Sequence, residues 1–155
     1  MDLETMNEQM LSPASGKILW IGAGERGQKN ITIFMHLHNV HVTTAPLNCV
    51  VKKITPKKGK FKPAFLRSSD FNMRNTIELS TKYGDINVVQ IAGFFTRKIL
   101  CDVKAGQKLS KGERMGKICF GSRVDVTVPE GFKIMVKEGD RVRYKNSVIA
   151  VSTAE

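Results

Sequence analysis

Apolar residues in this 155-residue chain recur with a period of two in short runs and almost nowhere with the period of a helix. The runs are "KILWIG", "ITIFMHL", "HVTTAP", "NCVVKKI", "DINVVQIAG", "KILCDV", "RVDVTV" and "SVIAVS", separated by Gly, Pro, Asn or Lys clusters. Alternation gives each strand one apolar face, so many short strands must close on one another to bury it. The expectation is an all-β or β-rich fold, a barrel or sandwich forming one domain over residues 1–155. "FLRSSDFNMRN" is the one long irregular stretch and has room for a helical turn. "IGAGERGQKN" reads as a hairpin turn, because no helical pattern follows its glycines.

Two segments near the C-terminus repeat one another. "VKAGQKLSKGERMGKI" (103–118) and "VKEGDRVRYKNSVIAV" (136–151) share Val-Lys-x-Gly, then apolar residues at Leu109/Val142, Met115/Val148 and Ile118/Val151. The pattern resembles the half-repeat of lipoyl and biotinyl carrier domains, a barrel-sandwich hybrid. Those carriers display a lysine in Met-Lys-Met or Asp-Lys-Ala, and neither tripeptide occurs here. The repeat therefore reads as architecture.

Charge narrows the partners. The chain carries a formal net charge of +11, and Lys52, Lys53, Lys57, Lys58, Lys60, Lys62, Arg67 and Arg74 face one acid, Asp70, within residues 52–74. A basic surface favours polyanions. Only Phe61, Phe65 and Phe71 interleave with these charges and no nucleic-acid motif surrounds them, so an anionic membrane surface is expected rather than nucleic acid. Neither a spanning apolar run nor a signal peptide is present in the sequence as given.

Individual residues leave the chemistry open. Cys49, Cys101 and Cys119 lack metal spacing and read as buried thiols of a reducing compartment. His36, His38 and His41 crowd into "MHLHNVHV". On an extended strand the first two share a face, but no Cys, Asp or Glu nearby completes a metal set, so none is expected. No G-x-S-x-G elbow and no Cys beside a base marks a hydrolase. The Gly121 and Ser122 pair interrupts the β-prone run "ICFGSRVDVTV", where glycine marks a bulge or a close backbone approach.

Taken in order, "SPASGK", "NVHVTTAP", "GKFKPAF" with "NMRN", "VVQIAGFFTRKI", "KGERMGKICFGSRVD" and "VKEGDRVRYKNSVIA" resemble the short, archaeal-type phosphatidylserine decarboxylase family of self-cleaving, pyruvoyl-dependent proenzymes. The resemblance covers nearly everything from Leu11 onward. It implies cleavage between Gly121 and Ser122 into chains 1–121 and 122–155, which stay together, with a pyruvoyl cofactor made from Ser122. It implies His41 as the base, and decarboxylation of a serine headgroup to ethanolamine through a Schiff base. The substrate implied is phosphatidylserine or archaetidylserine, with Lys52, Lys53, Lys57, Lys58, Lys60 and Lys62 on the headgroup plane. A peripheral place on the cytoplasmic side of the membrane follows, and a homo-oligomer is left open. Two positions depart from the family pattern: Ser15 stands where the family has the aspartate of an Asp-His-Ser arrangement, and Met73 where glutamate is commoner. The alternative is a relative that binds anionic lipid without processing itself.

Overall fold

The computed structural model describes residues 7–35, 41–94, 98–118 and 121–153. Its strands are β1 (Gln9–Leu11), β2 (Gly16–Ala23), β3 (Lys29–Phe34), β4 (Val42–Thr44), β5 (Cys49–Lys57), β6 (Arg74–Thr81), β7 (Gly84–Ile91), β8 (Ile99–Cys101), β9 (Lys108–Leu109), β10 (Arg114–Ile118), β11 (Arg123–Val128), β12 (Phe132–Ile134), β13 (Arg141–Val142) and β14 (Val148–Ser152). A 3-10 turn, Arg67–Phe71, lies in the stretch read as irregular. No α-helix occurs among the described residues, and no helix is long and apolar enough to cross a membrane.

Alternation builds the main sheet, which runs β13-β2-β3-β11-β7-β6-β5-β9, is antiparallel throughout and curls into a half-barrel. Its register aligns Ile21, Ile31, Val126, Val88, Ile77 and Ile54 in one row across six strands. Ile31, Val126, Val88 and Ile77 in that row are fully buried, each side chain stabilising the fold by roughly 1.5–3 kcal/mol. The next inward row, Ile18, Ile33, Val124, Gln90 and Asn75, ends in two buried amides. They satisfy each other and the neighbouring sheet: Asn75 Nδ2 donates to Gln90 Oε1 at 3.1 Å, and Gln90 Nε2 to the Leu100 carbonyl at 3.1 Å. Two three-stranded sheets, β1-β14-β12 and β4-β10-β8, close the concave side over one hydrophobic cluster.

The two half-repeats fold alike. Gly106 (φ +90°) and Gly139 (φ +96°) take the left-handed conformation that suits glycine. Their N–H groups donate to Val51 and Ile18 carbonyls on strands of the main sheet. The "IGAGERGQKN" segment is the β2–β3 hairpin turn, with Arg26 and Gly27 at positive φ. One sequence reading needs correcting: "ICFGSRVDVTV" is not one interrupted strand. β10 ends at Ile118 in a three-stranded sheet and β11 begins at Arg123 in the main one, with Gly121 at φ +77° near the crossing.

Candidate active site

Gly121 and Ser122 sit where β11 enters the main sheet. The Gly121 N–H donates to the Met35 carbonyl at 2.7 Å, and the Met35 N–H donates to the Ser122 carbonyl at 2.9 Å. Both flanks of the peptide bond are thus clamped to one residue at the end of β3. Ser122 is fully buried, and its hydroxyl lies 3.5 Å from Met35 Sδ. On the other side Gly93 meets the bond directly: a Cβ there would fall 1.8 Å from the Gly121 oxygen. That close backbone approach needs glycine at 93, and the positive φ favours it at 121.

His41 precedes β4. Its carbonyl accepts from Ile118 N–H at 3.0 Å, which sets it abreast of the last residue of β10, three positions before Gly121. Burial lowers the pKa of the imidazole below the usual 6.5, and the nearby Lys117 ammonium lowers it further. The neutral form, the one that accepts a proton, therefore dominates at neutral pH.

Ser15 is buried just before β2, whose Lys17 pairs with Phe34 beside Met35. The Ser15 and Ser122 segments consequently flank the same end of β3. The Ser15 hydroxyl accepts from Tyr144 N–H at 3.0 Å, in the second half-repeat, and no hydrogen bond joins Ser15 to His41 among the described residues. His36, His38 and Cys119 lie outside the described residues. No cluster of metal-ligating side chains occurs among the described ones.

The lysine cluster divides. Lys52 Nζ pairs with Asp85 at 2.6 Å, and Lys53 stands opposite Glu78 in the β5–β6 register. Lys57, Lys58, Lys60 and Lys62 form no ion pair among the described residues, and all four are exposed. Of the thiols, Cys49 is buried, with its pKa pushed up to about 11 by burial and then by Glu113. Cys101 is only half-buried, contrary to expectation, because β8 is a short edge strand of its sheet.

One arrangement beside the candidate site has no signal in the local sequence. Arg123, next to Ser122, is 4% exposed. It binds Asp125 through two bonds of 2.8 Å, Ser69 Oγ at 2.7 Å and Asp70 at 2.9 Å, which ties the 3-10 turn to the start of β11. Burial alone would lower its pKa, but the two carboxylates outweigh that and raise it, so the charge stays fixed.

The Gly121 and Ser122 peptide is thus buried, held by Met35 and packed against Gly93, while the His41 carbonyl lies abreast of the last residue of β10. The sequence model for phosphatidylserine decarboxylase matches residues 3–150. A protein named as an archaetidylserine decarboxylase proenzyme from Methanosarcina barkeri is 43% identical over 96% of this chain and 70% of its own length. One so named from Methanococcoides burtonii is 43% identical over 91% of this chain and 65% of its own length. A phosphatidylserine decarboxylase proenzyme from Neisseria gonorrhoeae is 41% identical over 92% of this chain and 58% of its own length. The chain belongs to the phosphatidylserine decarboxylase family, a family of pyruvoyl-dependent carboxy-lyases.

Proposed function

We propose that this chain is a proenzyme that cleaves itself between Gly121 and Ser122 and then decarboxylates a phospholipid bearing a serine headgroup. The observation that carries the reading is the clamp on that bond, with Met35 on one side and Gly93 on the other. Immobilising a peptide next to its attacking hydroxyl removes the orientational cost of the reaction.

His41 takes the proton from Ser122 Oγ, which attacks the Gly121 carbonyl carbon. The Gly121 C–N bond breaks, an ester forms and the Ser122 amine is freed. Loss of the Ser122 Cα proton and of the Cβ–O bond then releases the Gly121 carboxylate and leaves dehydroalanine at 122. Tautomerisation and hydrolysis by water expel ammonia, leaving a ketone. The residues present fit such a group, since it replaces Ser122 itself in the space bounded by Met35 and Gly93. A pyruvoyl group supplies an electron sink for the pair left when carbon dioxide departs. In this reading His41 also returns a proton to the product carbon. The 122–155 chain holds β11 between β3 and β7, and β14 between β1 and β12, which supports two cleaved chains remaining one body.

Lys57, Lys58, Lys60 and Lys62, free of acidic partners among the described residues, support docking on an anionic membrane at its cytoplasmic face. Phe65, Leu66 and Phe71, exposed by 53%, 43% and 71%, lie on the adjoining loop and add apolar contact area.

Ser15 favours a second reading, a relative that binds anionic lipid without cleaving. It brings no carboxylate to His41, and its hydroxyl is engaged by Tyr144. Intact mass of purified protein decides between the two. Fragments 1–121 and 122–155, the latter with a blocked N-terminus, support the enzyme, whereas a single 155-residue species after prolonged incubation supports the binder. Under the second reading a Ser15→Asp variant regains cleavage.

A further inference from the structure

A cavity of about 620 Å³ is lined by Ile54, Met73, Asn75 and Ile99 among others. Side chains alternate across a sheet, and the register puts Val124, Gln90 and Asn75 on one face. Ser122 and Met73 extend that face by one more row, bridged by Ala92, whose N–H donates to the Met73 carbonyl at 2.9 Å. Two strand spacings separate Met73 from the Gly121 and Ser122 peptide, roughly 10 Å.

The cavity's wall is mostly apolar, with Ile54, Met73 and Ile99 in it, and its cationic side chains include Lys57, Lys58 and Lys98. Among the described residues no carboxylate lines it. Arg74 also borders it, but its guanidinium is committed to the Asn72, Ser69 and Asp70 carbonyls. An apolar wall under three ammonium groups that form no ion pair among the described residues matches a ligand that is anionic at one point and aliphatic beyond it. The volume is that of a small-molecule site, enough for a phosphate, a glycerol unit and the first methylenes.

From these observations we infer that the cavity between β5, β6 and β8 binds the phosphate–glycerol segment and the first methylenes of the phospholipid whose headgroup reaches residue 122. The inference rests on the decarboxylase reading for what happens at residue 122. The spans agree: at about 1.2 Å of reach per bond, the headgroup amine lies about 5 Å from the phosphorus and about 10 Å from the first ester or ether oxygens. Lys57, Lys58 and Lys98 neutralise the phosphate, and the aliphatic stems lie on Ile54, Met73 and Ile99.

Cys101 lines the cavity and reports on it. The experiment uses Ser122→Ala protein, which cannot process itself, and follows N-ethylmaleimide labelling of Cys101 by peptide mass mapping. Buried Cys49 serves as the folding control. Monomeric dihexanoylphosphatidylserine is expected to slow Cys101 labelling in a saturable way, glycerophosphoserine only at much higher concentration, and inorganic phosphate not at all. Lys58→Gln and Lys98→Gln should each raise the lipid concentration needed roughly fivefold while Cys49 stays protected. Unchanged labelling with the lipid overturns the inference, and so does equal protection by inorganic phosphate or indifference to both lysine changes. Because the readout needs no processing, an uncleaved wild-type chain would sink the decarboxylase reading while leaving this result to stand or fall by itself.

Discussion

The two half-repeats make the same turn and meet different ends. In each, the Val-Lys-x-Gly glycine adopts positive φ, donates to a strand of the main sheet, and is followed by a two-residue strand with a buried apolar residue, Leu109 or Val142. The second then runs through β14, which lies between β1 and β12 as plain sheet. The first runs through β10, and its chain continues to Gly121 and Ser122 before entering the other sheet at Arg123. Similar local sequence therefore yields architecture twice and a candidate site once. The difference is what the strand runs into: Met35, Gly93, His41 and the Arg123 network gather only at the first.

That contrast can be broken in order of effect. His41→Ala should slow cleavage about 10²–10⁴-fold, the range for losing a general base, with mass spectrometry against time as the measure. An unchanged rate would remove His41 from the mechanism. Arg123→Met leaves Asp125 without its buried partner and should cost about 3 kcal/mol in urea unfolding. It should also free the 3-10 turn, which loses its bonds from Arg123 to Ser69 and Asp70.

Gly93→Ala and Gly139→Ala test the two halves against each other. At 93 the added methyl meets a carbonyl oxygen that cannot yield, so both stability, by about 1–3 kcal/mol, and cleavage should fall. At 139 nothing lies within 4 Å of the new Cβ, and only the φ of +96° resists it. The loss there should be about 1–2 kcal/mol, with cleavage unaffected below the melting transition. Equal loss of cleavage in both would mean that the bond reports general stability rather than local geometry.

The smallest effect is on pH. Because the lowered pKa keeps His41 neutral, cleavage should hold its rate through pH 7 and decline only below 6.5, as the imidazole gains its proton. Lys117→Gln removes a charge that disfavours protonation, so the pKa rises toward 6.5 and the acid limb of the rate profile moves to higher pH.

Some of this was legible in residue order. Short β-prone runs announced β2, β3, β4, β5, β7, β8, β11 and β14, and the glycines of the two repeats announced their turns. β6 went unread because its polar outer positions and the adjoining "NMRN" blended with the loop before it. β12 is three residues long and carries too little pattern to read. The Gly121 and Ser122 bond was visible only through family resemblance, since an isolated Gly-Ser pair carries no signal of its own.

What the sequence by itself determined is the all-β character, the half-repeats and the family, because these rest on short-range periodicity, on turn chemistry and on ordered motifs. Tertiary structure alone decided which lysines remain uncommitted, since the β5–β6 register sets Lys53 opposite Glu78 and the fold brings Asp85 to Lys52. It also decided that Arg123 is buried among Asp70, Ser69 and Asp125, that Gly93 presses on the Gly121 carbonyl, and that Ser15 bonds Tyr144. Most of these contacts join residues tens of positions apart, so register and sheet closure create them and no local pattern encodes them.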